Sequence, residues 1–188
     1  LLRLFKNTID DEKYQSHWDK FKKLTNPYEY IHISKKKNSK YSSISKYNPL
    51  SRSYFKLWEI LKEFKLIDHI NNQYIKTAHI AEGPGGFMEC LVNYRKRYKT
   101  TLIIEDVYGI TLKSTTKDIP GWSKARDFIR KNDINICYGK DNTGDIYNIE
   151  NILFFTKKIG RKKCELITSD GGFDFSVDFN NQEQLAYR

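Results

Sequence analysis

The hydrophobic and polar positions of this 188-residue chain follow two alternating periods from residue 52 onward. Short runs of consecutive apolar residues predict buried strands, at about residues 75–81, 106–112, 134–138 and 164–169. Apolar residues at helical spacing lie between them, at about 86–98, 125–131 and 148–159. Strands that alternate with helices form right-handed βαβ units, so the pattern predicts an α/β fold with a mostly parallel sheet.

A further amphipathic helix is predicted before the first strand, over about residues 52–64. Ser51 is the predicted N-cap, since a serine hydroxyl can accept a hydrogen bond from a backbone N–H in the first turn. Five apolar side chains fall on the predicted buried face: Tyr54, Leu57, Trp58, Leu61 and Phe64. The opposite face carries Arg52, Lys56, Glu59 and Glu63.

The N-terminal part has a different pattern. Residues 1–33 predict one or two amphipathic helices, with Phe21, Leu24, Tyr28 and Ile31 at apolar positions, whereas residues 34–48 are polar, basic and typical of a loop. We therefore expect a helical extension and basic loop over 1–47 and a separate domain over 48–188. Two interpretations of the loop lysines stay open: a solvated linker or an RNA-contacting arm.

Composition agrees with a globular, basic protein. The formal charge is +10 and the isoelectric point about 9.3, which favours a polyanionic partner because clustered Lys and Arg displace counterions from phosphates. An AT-rich genome is an alternative explanation, since Lys, Asn, Ile and Tyr are all plentiful. Aromatic residues make up 14% of the chain and supply core volume.

Cysteine and histidine usage bears on compartment and metals. Cys90, Cys137 and Cys164 are far apart and in apolar settings, so they are interpreted as buried thiols in a reducing compartment. The four histidines show no ligand spacing with them, so no metal site is expected. The sequence has no signal peptide and no long apolar run, which predicts a soluble intracellular protein without membrane contact.

Two of the predicted strands end in glycine-rich turns, Glu82-Gly-Pro-Gly-Gly-Phe87 and Ser169-Asp170-Gly-Gly-Phe173. In an open α/β sheet such turns form the ligand crevice. The first turn lacks the third glycine of a dinucleotide fingerprint and the lysine of a P-loop. It precedes a helix whose first N–H groups are expected to face the crevice and to suit a carboxylate of the ligand.

These two turns resemble those of the FtsJ-like RNA 2′-O-methyltransferases. The closest likeness is to the cap-specific mRNA branch of eukaryotes and large cytoplasmic DNA viruses, because rRNA-type relatives usually read Ala-Pro-Gly-Gly and Asp-Met at these places. The resemblance covers residues 48–188 and implies a Rossmann-like domain that binds S-adenosylmethionine and continues beyond the chain end.

The resemblance also implies the reaction and the partners. The expected reaction is methylation of a cap-proximal ribose 2′-hydroxyl of mRNA, with capped mRNA as partner and a capping-machinery protein as a further candidate partner. The location would be cytoplasmic for a viral protein and nuclear for a cellular one. Two alternatives stay open: methylation of rRNA or tRNA, and a catalytically inactive RNA-binding relative.

The resemblance assigns site residues by motif. Ser51-Arg-Ser-Tyr-Phe-Lys56 matches the segment with the first catalytic lysine, and Ser169-Asp170-Gly-Gly-Phe matches the segment with the catalytic aspartate. The second lysine and the glutamate of the family's tetrad are expected beyond Arg188. The implied cofactor-binding residues are Gly83, Pro84, Gly85, Gly86, Phe87, Asp145 and Ile146.

Some of these positions have open alternatives. Asp145 can accept a hydrogen bond from an adenine amino group, or it can form an Asx-turn. Asn180 and Gln182 are candidate RNA contacts, or they are a polar helix start. His79 stands where relatives often carry an acidic residue, which weakens the case for side-chain recognition of the cofactor's amino group. Glu105 and Asp106 are set aside because they fall at the start of the second strand.

Overall fold

The computed structural model of the chain describes residues 17, 21, 25, 26, 30–32, 43–68, 70, 74–98, 103–113 and 119–172. The chain forms two units, Leu1–Asn48 and Pro49–Arg188. In the first unit the backbone N–H of Ile44 donates to the carbonyl of Tyr30 at 2.9 Å. Phe21, a predicted apolar position, is 54% exposed, and Leu24 and Tyr28 lie outside the described residues.

The second unit is built on a four-stranded sheet of order β3-β2-β1-β4 in which every pairing is parallel. The strands are β1 (Tyr74–Ile80), β2 (Ile103–Ile110), β3 (Asn135–Cys137) and β4 (Leu166–Ser169). The predicted α/β fold with a parallel sheet is therefore confirmed. The chain steps outward from β1 to β3 and then returns to the other side of β1 with β4, so the strand order reverses between β1 and β4.

Four α-helices and one 3₁₀ turn accompany these strands in the described part of this unit, and the first of the helices precedes β1. They are α1 (Ser53–Phe64), α2 (Gly86–Tyr98), the 3₁₀ turn (Trp122–Ala125), α3 (Arg126–Lys131) and α4 (Ile149–Ile159). Each predicted helix and strand from residue 52 onward is present, with ends that differ by up to a few residues. α4 begins at Ile149, and the side chain of its N-cap residue Asn148 accepts the backbone N–H of Glu150 at 3.1 Å. The sequence pattern did not single out this N-cap.

The predicted N-cap at Ser51 is wrong. Helix α1 begins at Ser53, and its cap residue Arg52 already has helical backbone angles and makes no side-chain cap hydrogen bond. The Ser51 hydroxyl instead contacts the Ser53 hydroxyl. Phe64 was also placed wrongly on the buried face, since it is 65% exposed. It has the spacing of the apolar stripe, but it is the last residue of the helix.

Helices cover both faces of the sheet. Successive residues of β1 point to opposite faces, so Ile75 joins a core cluster with α1 and α2, whereas Ala78 joins a cluster with α4 through Phe155. A third cluster places Trp122 beside Val107 of β2 and Met88 of α2. Strands covered on both faces are rich in apolar residues, which explains the continuous apolar runs in the sequence.

Within the residues that the structure describes, no helix has the length and apolar character required to cross a membrane. Cys90 and Cys137 are buried, Cys164 is half-buried, and all three are free thiols. Burial raises the pKa of the Cys90 thiol, and the neighbouring Glu89 and Glu82 raise it further.

Candidate active site

The carboxyl ends of β1 and β4 meet the N-terminal end of α1 at a cleft of about 210 Å³. In open α/β sheets a ligand binds where the strand order reverses, at this end of the strands. The cleft is lined by Ser51, Arg52, Ser53, Lys56, Ala81, Glu82, Gly83, Pro84 and Asp170. Residues from all three motifs singled out in the sequence therefore line one cleft.

Lys56 and Asp170 are brought together there, although 114 residues separate them in sequence. The Lys56 amine donates to both carboxylate oxygens of Asp170, at 2.8 Å to Oδ1 and 2.9 Å to Oδ2. The Lys56 side chain is 58% exposed and that of Asp170 is 32% exposed, so the pair is open to a ligand in the cleft. Such a charge-assisted contact fixes the position of the amine.

Glu82, which sequence reasoning gave no role, occupies the start of helix α2. Its Oε1 atom accepts the backbone N–H of Phe87 at 2.8 Å and that of Met88 at 3.1 Å. The expectation that these N–H groups face the crevice and receive the ligand's carboxylate is therefore wrong, because the chain's own carboxylate caps them. The sequence feature that points to Glu82 is an acidic residue directly after an apolar strand and four residues before a helix.

Burial raises the pKa of Glu82 to about 8, and the charge of Asp170 acts in the same direction, against the two backbone hydrogen bonds. A folded-state pKa above the unfolded one means that the folded state keeps a proton that the unfolded state has lost. The stability that this proton contributes is complete below pH 4.5 and disappears as the pH rises through about 8.

We expect Glu82→Gln to remove this pH dependence, because glutamine keeps the oxygen that caps α2 but does not titrate. Between pH 6.5 and 8 the wild type should lose about 1–2 kcal/mol of unfolding free energy relative to the variant. Urea unfolding at several pH values measures this difference. The exposed Glu63→Gln should follow the wild type. Parallel curves for the wild type and Glu82→Gln would show that Glu82 is ionised throughout.

The glycines of the first turn make room for protein atoms as well as for a ligand. A side chain at Gly83 would meet the Pro120 carbonyl, and one at Gly86 would meet the hydroxyls of Ser51 and Ser53. Gly85 has a φ of +113°, which side chains rarely adopt. The turn therefore packs tightly onto the segment before α1 and onto residue 120, and the Gly83–Pro84 peptide bond in it is cis.

Asp145 lies in a turn at the carboxyl end of β3. Its Oδ1 accepts the backbone N–H of Tyr147 at 2.9 Å, which is the Asx-turn that the sequence left open. The carboxylate is half-buried, and the neighbouring Ile146 is 37% exposed. Both residues are therefore partly exposed, and Asp145 has a second carboxylate oxygen beside the one used in the turn.

Thr111, which follows β2, connects the two loops. Its hydroxyl accepts the backbone N–H of Gly83 at 3.0 Å, and its carbonyl lies where a side chain at Gly144 would have to go. Gly144 has a φ of +74°. The glycine turn after β1 and the turn that carries Asp145 are thus held against one residue, so that both loops belong to one edge of the sheet.

Asn151 of α4 is a second residue that the sequence did not reveal. It is fully buried, and its amide donates to the carbonyl of Asp145 at 2.9 Å and to the Thr143 hydroxyl at 3.3 Å. Its side-chain oxygen accepts the backbone N–H of Asp141 at 3.2 Å. The sequence feature that could have identified Asn151 is an asparagine among the apolar positions of a helix, because a buried amide needs hydrogen-bond partners.

His79 is buried in β1 between two threonines. Its Nδ1 lies 2.7 Å from the Thr168 hydroxyl, and its Nε2 lies 3.2 Å from the Thr77 hydroxyl. Complete burial lowers the pKa of His79 to about 3, so the ring is neutral at physiological pH. His79 therefore connects β1 to β4 and sits inside the sheet instead of in the cleft.

The remaining predicted positions divide in two groups. Asn180 and Gln182 lie outside the described residues, as do Lys35, Lys36 and Lys37. Asp106 pairs with Lys76 at 3.6 Å near the first half of β1, away from the carboxyl edge. In the part of the chain that the structure describes, no three His, Cys, Asp or Glu side chains cluster as metal ligands.

Comparison with known protein families identifies the family to which this chain belongs. The model of the FtsJ-like methyltransferase family matches residues 49–187. The chain belongs to the FtsJ-like methyltransferase family. The matched range covers the four-stranded sheet, the cleft and both glycine turns, so the family resemblance derived from the motifs is confirmed. No solved structure matches the chain at a significant level.

Three curated relatives have related names. The chain is 30% identical over 115 residues to cap-specific mRNA (nucleoside-2′-O-)-methyltransferase 1 of Trypanosoma brucei brucei, covering 58% of this chain and 28% of the relative. The Trypanosoma cruzi protein of the same name is 26% identical over 145 residues, or 73% of this chain and 38% of the relative. The methyltransferase 2 of Danio rerio is 23% identical over 154 residues, or 72% and 19%. The chain thus spans less than two fifths of each of these relatives.

Proposed function

We propose that this chain carries the methyl-transfer site of an enzyme that methylates the ribose 2′-hydroxyl of a cap-proximal mRNA nucleotide, with S-adenosylmethionine as donor. The observation that carries the proposal is the Lys56–Asp170 contact, 2.8 Å long, in the same cleft as Gly83 and Pro84 of the glycine turn. A fixed amine beside the turn expected to hold the cofactor is what removal of a hydroxyl proton requires.

The residues at the cleft suit this cofactor. When bound, it supplies an electrophilic methyl group on a positively charged sulfur. The carboxylate of Asp170 lines the cleft, and a negative group suits a cationic ligand. The glycine turn, with Gly83, Pro84 and Gly85, would hold the amino-acid end, while Asp145 and Ile146 would hold the adenosine from the neighbouring turn that Thr111 ties to it.

Two residues of the chain have different roles toward the ribose 2′-hydroxyl that accepts the methyl group. A neutral Lys56 amine would accept the proton of the ribose 2′-hydroxyl at Nζ, while the hydroxyl oxygen would take over the methyl group and the donor sulfur would keep the electron pair of the carbon–sulfur bond that breaks. Asp170 holds Nζ through both oxygens, so the amine stays in one place while the hydroxyl is aligned with the methyl group. Asp170 is thereby the group that orients, and Lys56 is the group that receives the proton.

The substrate assignment is supported by the names of the relatives, all three of which are cap-specific mRNA methyltransferases. The charge of +10 agrees with an RNA substrate. The complete protein should therefore transfer a tritiated methyl group to capped RNA and leave the same RNA without a cap nearly unlabelled. Equal labelling of both RNAs would contradict the cap requirement and favour an rRNA or tRNA substrate.

The basic loop before the domain provides a separate test of RNA contact. We expect RNA affinity to fall steeply as salt rises, since each phosphate contact releases counterions. Changing Lys35, Lys36, Lys37 and Lys40 together to alanine should flatten this salt dependence, in proportion to the number of lysines that contact phosphate. Fluorescence anisotropy at several salt concentrations measures the slope. An unchanged slope would identify the loop as a linker.

A further inference from the structure

A second cavity, of about 470 Å³, lies beside the outer strands of the sheet and shares no residue with the Lys56–Asp170 cleft. Its wall comes from three places: Lys113 after β2, residues of the 3₁₀ turn and α3, and Ile136 and Tyr138 at β3. The volume is within the range of small-molecule sites in proteins. None of the residues expected to hold S-adenosylmethionine lines it.

Trp122 is the first feature of the cavity wall, and its ring makes one side of the wall rigid and apolar. Its side chain is 4% exposed, and its indole nitrogen Nε1 is buried without a hydrogen-bond partner, as found for no other side-chain atom in the described part of the chain. A buried donor without an acceptor costs free energy. The far edge of the indole packs against Gly109, where a side chain would lie 3.0 Å from Cη2. The ring is thus fixed in the wall of the cavity.

The charges of the wall provide the second indication. Lys113, Arg126 and Arg130 all line the cavity and are all exposed. Arg126 and Arg130 are one helical turn apart, so they lie on one face of α3. No carboxylate is among the described residues of the wall. The nearby Asp127 contacts Arg130 at 3.3 Å, but both side chains are almost fully exposed, so this pair is weak.

The aromatic and apolar part of the wall provides the third. Ile129 and Ile136 are half-buried beside Tyr138, whose ring lies 5.6 Å from the Lys113 amine. Burial raises the pKa of Tyr138, and the positive charge of Arg126 opposes that shift. A flat apolar surface next to cations suits a ligand that has both a ring and an anionic group.

From these three features we propose that the cavity binds a phosphate-bearing nucleotide unit. The phosphate would lie between Arg126, Arg130 and Lys113. The base or ribose would lie against Tyr138 and the two isoleucines. The shared chemistry fits either a nucleotide of a bound RNA strand or a free nucleotide. The first source rests on the proposed function, whereas the site itself does not.

The cavity is connected to the cleft through one short segment. Pro120 and Ala125 contact the glycine turn at Gly83 and Gly85, while Gly121 and Trp122 between them line the cavity. A ligand that orders this segment would support the turn expected to hold S-adenosylmethionine. The site would thus help to position the cofactor without contact with the reacting atoms.

The test observes the indole N–H of Trp122 directly. In a ¹H–¹⁵N spectrum of the complete protein, comparison with Trp122→Phe identifies its resonance. Adenosine 5′-monophosphate and an uncapped eight-nucleotide RNA are then titrated separately. We expect either probe to shift the resonance in a saturable way, because the indole ring lines the cavity and its surroundings change when a ligand binds there. Neither the cap nor methyl transfer is needed, so failure of the proposed function leaves this result intact.

Two double variants make the test specific. Arg126→Ala with Arg130→Ala should weaken binding of the probe about ten- to hundredfold, since two charge-assisted contacts are lost. Lys124→Ala with Lys131→Ala, exposed lysines of the same segment outside the cavity wall, removes the same charge and should leave the affinity within about twofold.

The outcomes separate cleanly. Tighter, more salt-sensitive binding of the RNA than of adenosine monophosphate identifies an RNA strand as the source, and equal binding identifies a free nucleotide. A Trp122 resonance that neither probe moves at millimolar concentration would overturn the proposal. Equal losses in the two double variants would overturn it as well, because the binding would then be unspecific attraction to a basic surface.

Discussion

Asp170→Ala in the complete protein should abolish methyl transfer and leave the affinity for S-adenosylmethionine nearly unchanged. Both oxygens of Asp170 hold the Lys56 amine, at 2.8 and 2.9 Å, so the variant releases that amine from its position. Lys56→Ala should have a similar effect, because the proton acceptor itself is lost. Loss of a positioned proton acceptor typically costs about 10²- to 10⁴-fold in rate.

The loss should appear in kcat more than in KM, since the hydroxyl gains from these groups only as its proton leaves. Single-turnover transfer from tritiated cofactor measures the chemical step, and calorimetry measures cofactor binding. Lys56→Arg and Asp170→Asn are the conservative variants, and neither should restore full activity, because arginine cannot accept the proton and asparagine cannot hold the amine with two oxygens. Lys62→Ala, one to two turns along the same helix, is the control and should keep activity.

Near-normal transfer in both alanine variants would contradict the assignment of this pair. If the variants lose cofactor binding together with methyl transfer, Lys56 and Asp170 act on the cofactor instead of on the acceptor hydroxyl. If Asp170→Ala is active and Lys56→Ala is inactive, Lys56 keeps its role as proton acceptor, but Asp170 is not needed to orient it.

Gly85→Val should be the most damaging single change in the first glycine turn. The backbone φ of +113° is strained for any side chain, at about 1–3 kcal/mol. A Cβ at this position would also lie 3.2 Å from Leu50 Cδ1, so overpacking adds about 1–3 kcal/mol. Urea unfolding should show a loss of unfolding free energy equal to the sum of these two effects. Calorimetry should show that cofactor binding is lost at temperatures where the variant is still folded.

Gly160→Val is the matched control for this experiment. Gly160 has a φ of +85°, yet nothing lies within 4 Å of the position that a Cβ would take. It should therefore show the backbone strain without the overpacking, and it should bind the cofactor normally because it lies at the end of α4. Equal stability losses in the two variants would show that the contact with Leu50 is relaxed easily. Unchanged cofactor affinity in folded Gly85→Val would remove this turn from the cofactor site.

The alternation of periods was sufficient to predict the sheet and its helices, because buried parallel strands and amphipathic helices have distinct apolar spacing. Errors arose where a local pattern competes with packing. Ser51 has the side chain of an N-cap, but Arg52 is already helical and the Ser51 hydroxyl contacts Ser53. Phe64 has the spacing of the buried face, but it is the last residue of α1 and is 65% exposed.

The site, like the fold, was predicted from the sequence only in part. Spacing alone gives no reason to pair Lys56 with Asp170, since their contact depends on the reversal of strand order that places β4 beside β1. The motif resemblance supplied that pairing. It gave no role to Glu82, because the helix start was expected to receive a ligand. A cap that comes from the turn itself became visible only when the backbone N–H groups of Phe87 and Met88 were traced to their acceptor.

The measurement that tests the account most directly locates the transferred methyl group. The complete protein is incubated with tritiated S-adenosylmethionine and capped RNA, the RNA is digested to nucleosides and cap structures, and the products are separated. We expect the label on the ribose 2′-oxygen of a cap-proximal nucleotide, and no label with Asp170→Ala. Label on a base would contradict the proposed reaction, and ribose label at internal positions that does not depend on the cap would contradict the proposed substrate.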